Sequence, residues 1–202
     1  MANLLIVYGT TEGHTRKVAE RIAGHLCDGG HTAAVVCACA CRSVYHGRYD
    51  GVMVCASVHR GRHQRSVARF VSENLHALGR LPSAFFSVSL SAAGKEPRQQ
   101  DDAKRCADAF LRETGWRPNM VRLVAGALAY TRYGTVTRLM MKWIAWREGG
   151  DTDTSRDHEY TDWDQLRRDE ELFATHAVPA PSRPRTRGDL RRRGNLRMRG
   201  GT

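Results

Sequence analysis

The sequence predicts an α/β fold: a doubly wound sheet of five parallel strands in the order 2-1-3-4-5. Three observations predict it. Five apolar runs, Leu4–Tyr8, Ala33–Cys39, Val52–Ala56, Ala84–Leu90 and Val121–Ala129, are nearly continuous rather than strictly alternating, as in parallel strands covered on both faces. Helical periodicity fills most of the intervals between them, and strands alternating with helices make right-handed crossovers. The length of 202 residues, 41% hydrophobic and 26% charged, suits one folded domain with a short tail.

The elements follow in order. After the first run, Val18, Ile22 and Leu26 recur at four-residue steps, and Gly29-Gly30 ends the helix. The second connection, Ala40 to Gly51, has room for a brief helix or a loop. After the third run, Val67, Phe70, Val71 and Leu78 form one helical face, with Leu75 beside it. After the fourth, Asp101 is the expected N-cap of a helix carrying Ala103, Cys106, Ala107, Phe110 and Leu111, with Gly115 as its stop. A long insertion, Tyr130 to Tyr160, lies after or within the fifth strand and precedes a last helix.

In this topology ligands sit outside the carboxyl ends of the strands, at the switch between strands 1 and 3. The chemistry is therefore expected after Tyr8 and after Ala56. After strand 1 the chain reads Gly9-Thr10-Thr11-Glu12-Gly13-His14-Thr15 and enters a helix. Helix N-terminal N–H groups, hydroxyls and glycines together suit a phosphate. The segment holds neither a P-loop lysine nor a GxGxxG, so it suits a monophosphate rather than a triphosphate or a dinucleotide.

Thr10 to Thr15 resembles the phosphate loop of flavodoxin-like proteins, T/S-x-T-G-x-T. Glu12 stands where simple flavodoxins have a hydroxyl, and an acid there occurs in the menaquinone-dependent protoporphyrinogen IX dehydrogenases. Further segments resemble that family in order and spacing. They are Ala56-Ser57-Val58-His59-Arg60-Gly61, Leu81 through Leu90, Trp116-Arg117-Pro118, Ala125-Gly126-Ala127-Leu128, Gly149-Gly150-Asp151-Thr152-Asp153-Thr154 and Tyr160-Thr161-Asp162-Trp163. The resemblance spans roughly residues 3–176. One departure stands out: the family often has Arg-Tyr-Gly where this chain has His59-Arg60-Gly61, so His59 or Arg60 replaces an aromatic residue beside the flavin.

The resemblance implies non-covalent FMN. Thr10, Thr11, Glu12, Gly13, His14 and Thr15 would hold its phosphate. Ser57, Val58, His59, Arg60 and Gly61, with Ser87, Val88, Ser89, Leu90, Ser91 and Ala92, would border its ring. It implies oxidation of protoporphyrinogen IX to protoporphyrin IX, with menaquinone or ubiquinone as acceptor, in haem biosynthesis. Arg60, Arg62, Arg98 and Arg132 are candidates to fork the substrate carboxylates, and the 91–100 loop, less basic than in the family, keeps Lys95 and Arg98. His14, His59 and His63 are candidate proton relays. No catalytic residue is singled out and no metal is assigned, because Asp151 and Asp153 in a glycine-rich loop are a weak metal signal. The alternatives are a flavodoxin-type electron shuttle, a small flavin-dependent quinone reductase and a non-enzymatic α/β module.

The net charge is +11, and most of it lies in the stretch 177–202, which has eight arginines against Asp189. This stretch has no apolar periodicity and reads as a disordered basic tail on a domain of residues 1–176. It suits anionic lipid, or is a passive extension, and nucleic acid is not an expected partner. Residues 134–147 mix Met141, Trp143 and Trp146 with Arg138, Lys142 and Arg147, a composition that suits either a bilayer interface or a helix covering the sheet. No apolar run reaches the roughly 18 residues of a spanning helix, and Met1-Ala2-Asn3-Leu4 lacks a basic leader. The expected location is the cytoplasm, with peripheral contact at the inner membrane. Cys37, Cys39 and Cys41 alternate with alanine, as thiols on one face of a strand would.

Overall fold

The computed structural model describes residues 1–41, 43–44, 47–94, 96–128 and 158–177. Arg132, Lys95, Asp151, Asp153, the segment 134–147 and nearly all of the basic tail lie outside the described residues. The strands are β1 (Asn3–Gly9), β2 (Thr32–Cys37), β3 (Gly51–His59), β4 (Arg62–His63), β5 (Ser83–Ser89), β6 (Met120–Ala125), β7 (Ala127–Leu128) and β8 (His158–Glu159). The helices are α1 (His14–Asp28), α2 (Arg65–Glu73), α3 (Leu75–Leu78), α4 (Pro97–Thr114) and α5 (Trp163–Leu172).

The main sheet runs β2-β1-β3-β5-β6, all parallel. This is the expected order 2-1-3-4-5, renumbered because a two-residue strand, β4, turns back antiparallel on the end of β3. Both faces of the sheet are buried, and the period of two sorts the side chains between them. Leu4 and Ile6 pack with Val18, Ile22, Met53, Phe86, Leu166 and Phe173, under α1 and α5. Leu5 and Val7 pack with Val54, Phe70, Phe85, Phe110 and Trp116, under α2 and α4.

Five local expectations differ from the structure. α4 begins at Pro97, not after Asp101. Glu96 is its N-cap and forms a capping box with Gln99, while Pro97 supplies a φ already suited to the first helical position. Both acids can cap a helix, and the proline decides between them. The helix carrying Val67, Phe70 and Val71 breaks at Asn74 before α3. Asn74 is buried there: Oδ1 accepts from Val44 N at 2.7 Å and Nδ2 donates to Phe70 O at 2.8 Å.

β2 ends at Cys37, because β1 offers no partner beyond Tyr8 on that side and the chain turns. Cys37 O accepts from the N–H groups of both Ala40 and Cys41. Cys37 and Cys39 are joined by a disulfide, with Cα atoms 5.2 Å apart, rather than standing as free thiols on one strand face. Cys41 stays free and half-buried, and Cys55 is a wholly buried thiol in β3.

The fifth strand also stops early. Gly126 packs on the backbone of Ser89, 3.4 Å from where a Cβ would stand, and donates its N–H to Ser89 O. The chain then leaves the main sheet, and β7 pairs antiparallel with β8.

α5 locks onto α1 through a buried acid. Glu170 is fully buried, and its Oε1 lies 2.6 Å from His25 Nδ1. Burial pushes its carboxyl up to about 8, so near neutrality Glu170 keeps its proton and donates it to the imidazole. The unfolded carboxyl titrates near 4.5, so between pH 4.5 and 8 unfolding releases a proton. Stability therefore falls as pH rises through that window, by on the order of 1.4 kcal/mol per unit. Glu170→Gln removes the titration and keeps a donor toward His25. We expect its Tm to match wild type at pH 5 and to exceed it at pH 8 to 9, with a flatter profile between. Parallel thermal melts across that range check this, and a variant curve parallel to wild type contradicts it.

Among the described residues no helix is long and apolar enough to cross a membrane.

Candidate functional site

The sheet register brings the loops of interest to one edge. Gly9 pairs with Ala56, Ser57 with Val88 and Ser89 with Ala125, so β1, β3, β5 and β6 leave the sheet side by side at their carboxyl ends. The loop 10–13 joins β1 to α1. Gly13 is the N-cap of α1 with φ 90°, a left-handed conformation open to glycine at little cost. Thr10 Oγ1 accepts from Gly13 N at 2.9 Å and folds the loop over the helix start. The first-turn N–H groups of α1 have no intrahelical acceptor. Thr15 is 1% exposed, and its hydroxyl has no hydrogen-bond partner. Thr11 is exposed in the loop and Glu12 half-buried.

His14 faces away from this cradle. Thr161 Oγ1 donates to Ala125 O at 2.7 Å, so its oxygen accepts from His14 Nε2–H at 2.8 Å. Burial holds the imidazole below its usual range. Lys17 pairs with Glu159 at 2.5 Å and, with Arg21, covers the Trp163 ring. Tyr160 N donates to Gly126 O, and Asp162 caps α5 by accepting from Gln165 N. The Tyr160-Thr161-Asp162-Trp163 segment thus docks the returning chain on the first turns of α1.

Ser57 and Val58 are half-buried at the end of β3, and His59, Arg60 and Gly61 form an exposed tip. His59 pairs with Arg62, which leaves Arg60 and Gly61 as a two-residue turn with φ 51° and 75°. His63 returns into the core. Its Nε2 is 3.0 Å from Ser87 Oγ, and its ring packs on Phe85 and Phe110. Burial lowers it to about 4, so it is neutral near pH 7 and packs as part of the aromatic cluster. Ser87, Val88 and Ser89 are buried strand residues, and Ser89 Oγ caps the following turn by accepting from Ala92 N at 3.2 Å. Leu90, Ser91 and Ala92 are half-buried in that turn, at the site's edge. Arg98 is exposed in the first turn of α4.

Two residues that the sequence reading did not place at the site contact residues it did. Thr161 meets the loop helix through His14, and Gln64 touches both Thr11 and Ser57. Neither has a periodic or compositional signal, since their partners are remote in the chain.

The flavodoxin domain model matches residues 5–155. The chain belongs to the flavodoxin family. It is 35% identical over 162 residues to the protoporphyrinogen IX dehydrogenase [quinone] of Escherichia coli (strain K12), covering 80% of this chain and 89% of that protein. It is 33% identical over 182 residues to the Leishmania major protein of the same name, covering 90% of this chain and 78% of that one. Oxidised flavodoxin 1 from Bacillus cereus shares the fold with TM-score 0.51 at 14% identity, over 86% of this chain and 98% of that one. An NADH:FMN oxidoreductase in its apo form superposes with TM-score 0.52 at 11% identity, over 94% and 99% of the two chains. The flavodoxin domain indicates that the chain binds a flavin.

Proposed function

We propose that this flavodoxin-family chain is an FMN-dependent protoporphyrinogen IX dehydrogenase that passes electrons to a quinone. The observation that carries the reading is the kinship with two proteins of that name, spanning 89% of the length of one and 78% of the other. The site's chemistry fits the cofactor. Thr15 presents a buried hydroxyl with no partner beside a helix N-terminus, which suits a phosphate monoester. Thr10 to Thr15 would hold the phosphate, His14 through its backbone N–H alone, and Ser57 to Gly61 with Leu90 to Ala92 would border the ring. Bound FMN would supply two-electron redox chemistry, and the protein supplies position and electrostatics.

The substrate is an apolar macrocycle with carboxylate arms, and it calls for cationic forks at the site's rim. Arg60 and Arg62 stand at the hairpin tip, with no acidic partner among the described residues. Many arginines elsewhere are paired: Arg16 with Glu20, Arg69 with Glu73, Arg122 with Asp169 and Arg167 with Glu171. Arg60 also holds a left-handed backbone conformation that costs a non-glycine residue about 1 kcal/mol. A strained, unpaired arginine at this rim is consistent with carboxylate recognition. Arg60→Gly is therefore expected to raise Tm by roughly 2 °C while raising KM for the porphyrinogen several-fold with little change in kcat. An unchanged KM removes Arg60 from substrate recognition.

The direct test loads the protein with FMN without oxygen, adds protoporphyrinogen IX and follows flavin absorbance against a protein-free control. Bleaching that a quinone reverses supports the dehydrogenase. Oxidised flavin persisting beside intact substrate overturns it. The same assay with menaquinone and ubiquinone analogues reads out which acceptor works.

A further inference from the structure

One side chain lies between the two loops assigned to the cofactor. Gln64 follows the β3–β4 hairpin and stands at the N-cap of α2 with extended backbone, φ −62° and ψ 138°. Its Nε2 donates to Ser57 Oγ and, at 3.3 Å, to Thr11 Oγ1. A single carboxamide thus spans the loop after β1 and the end of β3. The other end, Oε1, is buried without a partner and packs toward Gly9, 3.2 Å from where a Cβ would stand. Turning the amide over exchanges oxygen and nitrogen. In either orientation one end bridges the two hydroxyls and the other has no partner. The flanking residues hold Gln64 in place: His63 packs against the stacked rings of Phe85 and Phe110, and Cys106 Sγ lies 3.5 Å from Gly61 O.

We propose that Gln64 is the positioning residue of the cofactor site. It fixes the distance between the phosphate loop and the ring-bordering loop, so that phosphate and ring are bound as one unit. The inference rests on the flavin reading above and deepens it. A rigid spacing makes the chain prefer a flavin with a 5′-phosphate to one without, because binding at one loop leaves the other already placed.

The test uses the full apo chain as wild type, Gln64→Met and Gln64→Glu, titrated with FMN and with riboflavin by flavin fluorescence quenching, with thermal melts of each apo protein. The ratio of FMN to riboflavin affinity measures the coupling between the two loops. Methionine keeps the length and loses both bridging bonds, so the ratio is expected to fall about tenfold while the apo Tm stays within a few degrees. Glutamate keeps an acceptor for both hydroxyls but sets a negative charge beside the phosphate loop. FMN affinity is then expected to fall further than in Gln64→Met, and riboflavin affinity to stay the same. A ratio unchanged in both variants overturns the proposal. Equal losses for the two flavins with a matching drop in apo Tm also overturn it, leaving Gln64 as part of the fold only. If wild type binds neither flavin, the cofactor reading itself fails, and the inference falls with it.

Discussion

Thr15→Val is expected to stabilise the apo protein and to weaken FMN binding at the same time. Valine matches threonine in shape and remains in the helix, so the change removes little besides the hydroxyl. In the apo protein that hydroxyl is buried without a partner, a state that costs about 1–3 kcal/mol. Its loss should raise the apo Tm by a few degrees. With FMN bound, the same hydroxyl would donate to the phosphate, a charge-assisted bond of about 1.5–3 kcal/mol. FMN affinity should therefore fall by about 10- to 100-fold, while riboflavin, which has no phosphate, binds as before. Calorimetric titration of both flavins, with melts of both apo proteins, checks the two signs together. Unchanged FMN affinity would place the phosphate elsewhere.

Gly9→Ala is expected to cost about 2 kcal/mol, a Tm drop of roughly 4–8 °C, and to disrupt the cofactor site. A Cβ on Gly9 would lie 2.2 Å from Val67 Cγ2. Val67 is fully buried and its β-branched side chain has few rotamers, so α2 must shift rather than the side chain alone. That shift carries Gln64, at the start of α2, away from Thr11 and Ser57. The double variant Gly9→Ala with Val67→Ala should recover part of the lost Tm. If Gly9→Ala alone melts like wild type, β1 and α2 are not packed as tightly as this contact requires.

Much of the architecture was legible in the chain. Leu4 and Ile6 face α1 and α5, while Leu5 and Val7 face α2 and α4, and a near-continuous apolar run is the signature of such a two-sided strand. Val18, Ile22 and Leu26 mark the buried stripe of α1, and Gly29 ends it. The loop from Thr10 to Thr15 was legible for a related reason: a glycine and hydroxyls at the mouth of a helix form a short-range pattern that keeps its meaning wherever the helix sits. The Tyr160-Thr161-Asp162-Trp163 segment was visible as a motif, but its docking on His14 and Lys17 was not.

Element ends were harder to read. Either Glu96 or Asp101 can cap a helix, and Pro97 selects the first. β2 ends where β1 runs out of partners, which the alternation from Cys37 to Cys41 does not encode. The strand β4 is two residues long and too short to carry a period, so the hairpin that holds Arg60 and leads into Gln64 left no trace in the pattern.

Periodicity and turn chemistry within about ten residues thus specified the sheet, its order and the edge to which the loops after β1, β3, β5 and β6 come, because those features follow from local geometry and from which face must be buried. The contacts that tune the site arose only on folding. Gln64 meets Thr11 across 53 residues, Thr161 meets His14 across 147, and Glu170 meets His25 across 145. Each is a polar atom answered, or left unanswered, by a partner that the strand register and helix packing brought beside it. A polar group's worth depends on whether it is buried and what it faces, and neither is set until the whole chain has closed.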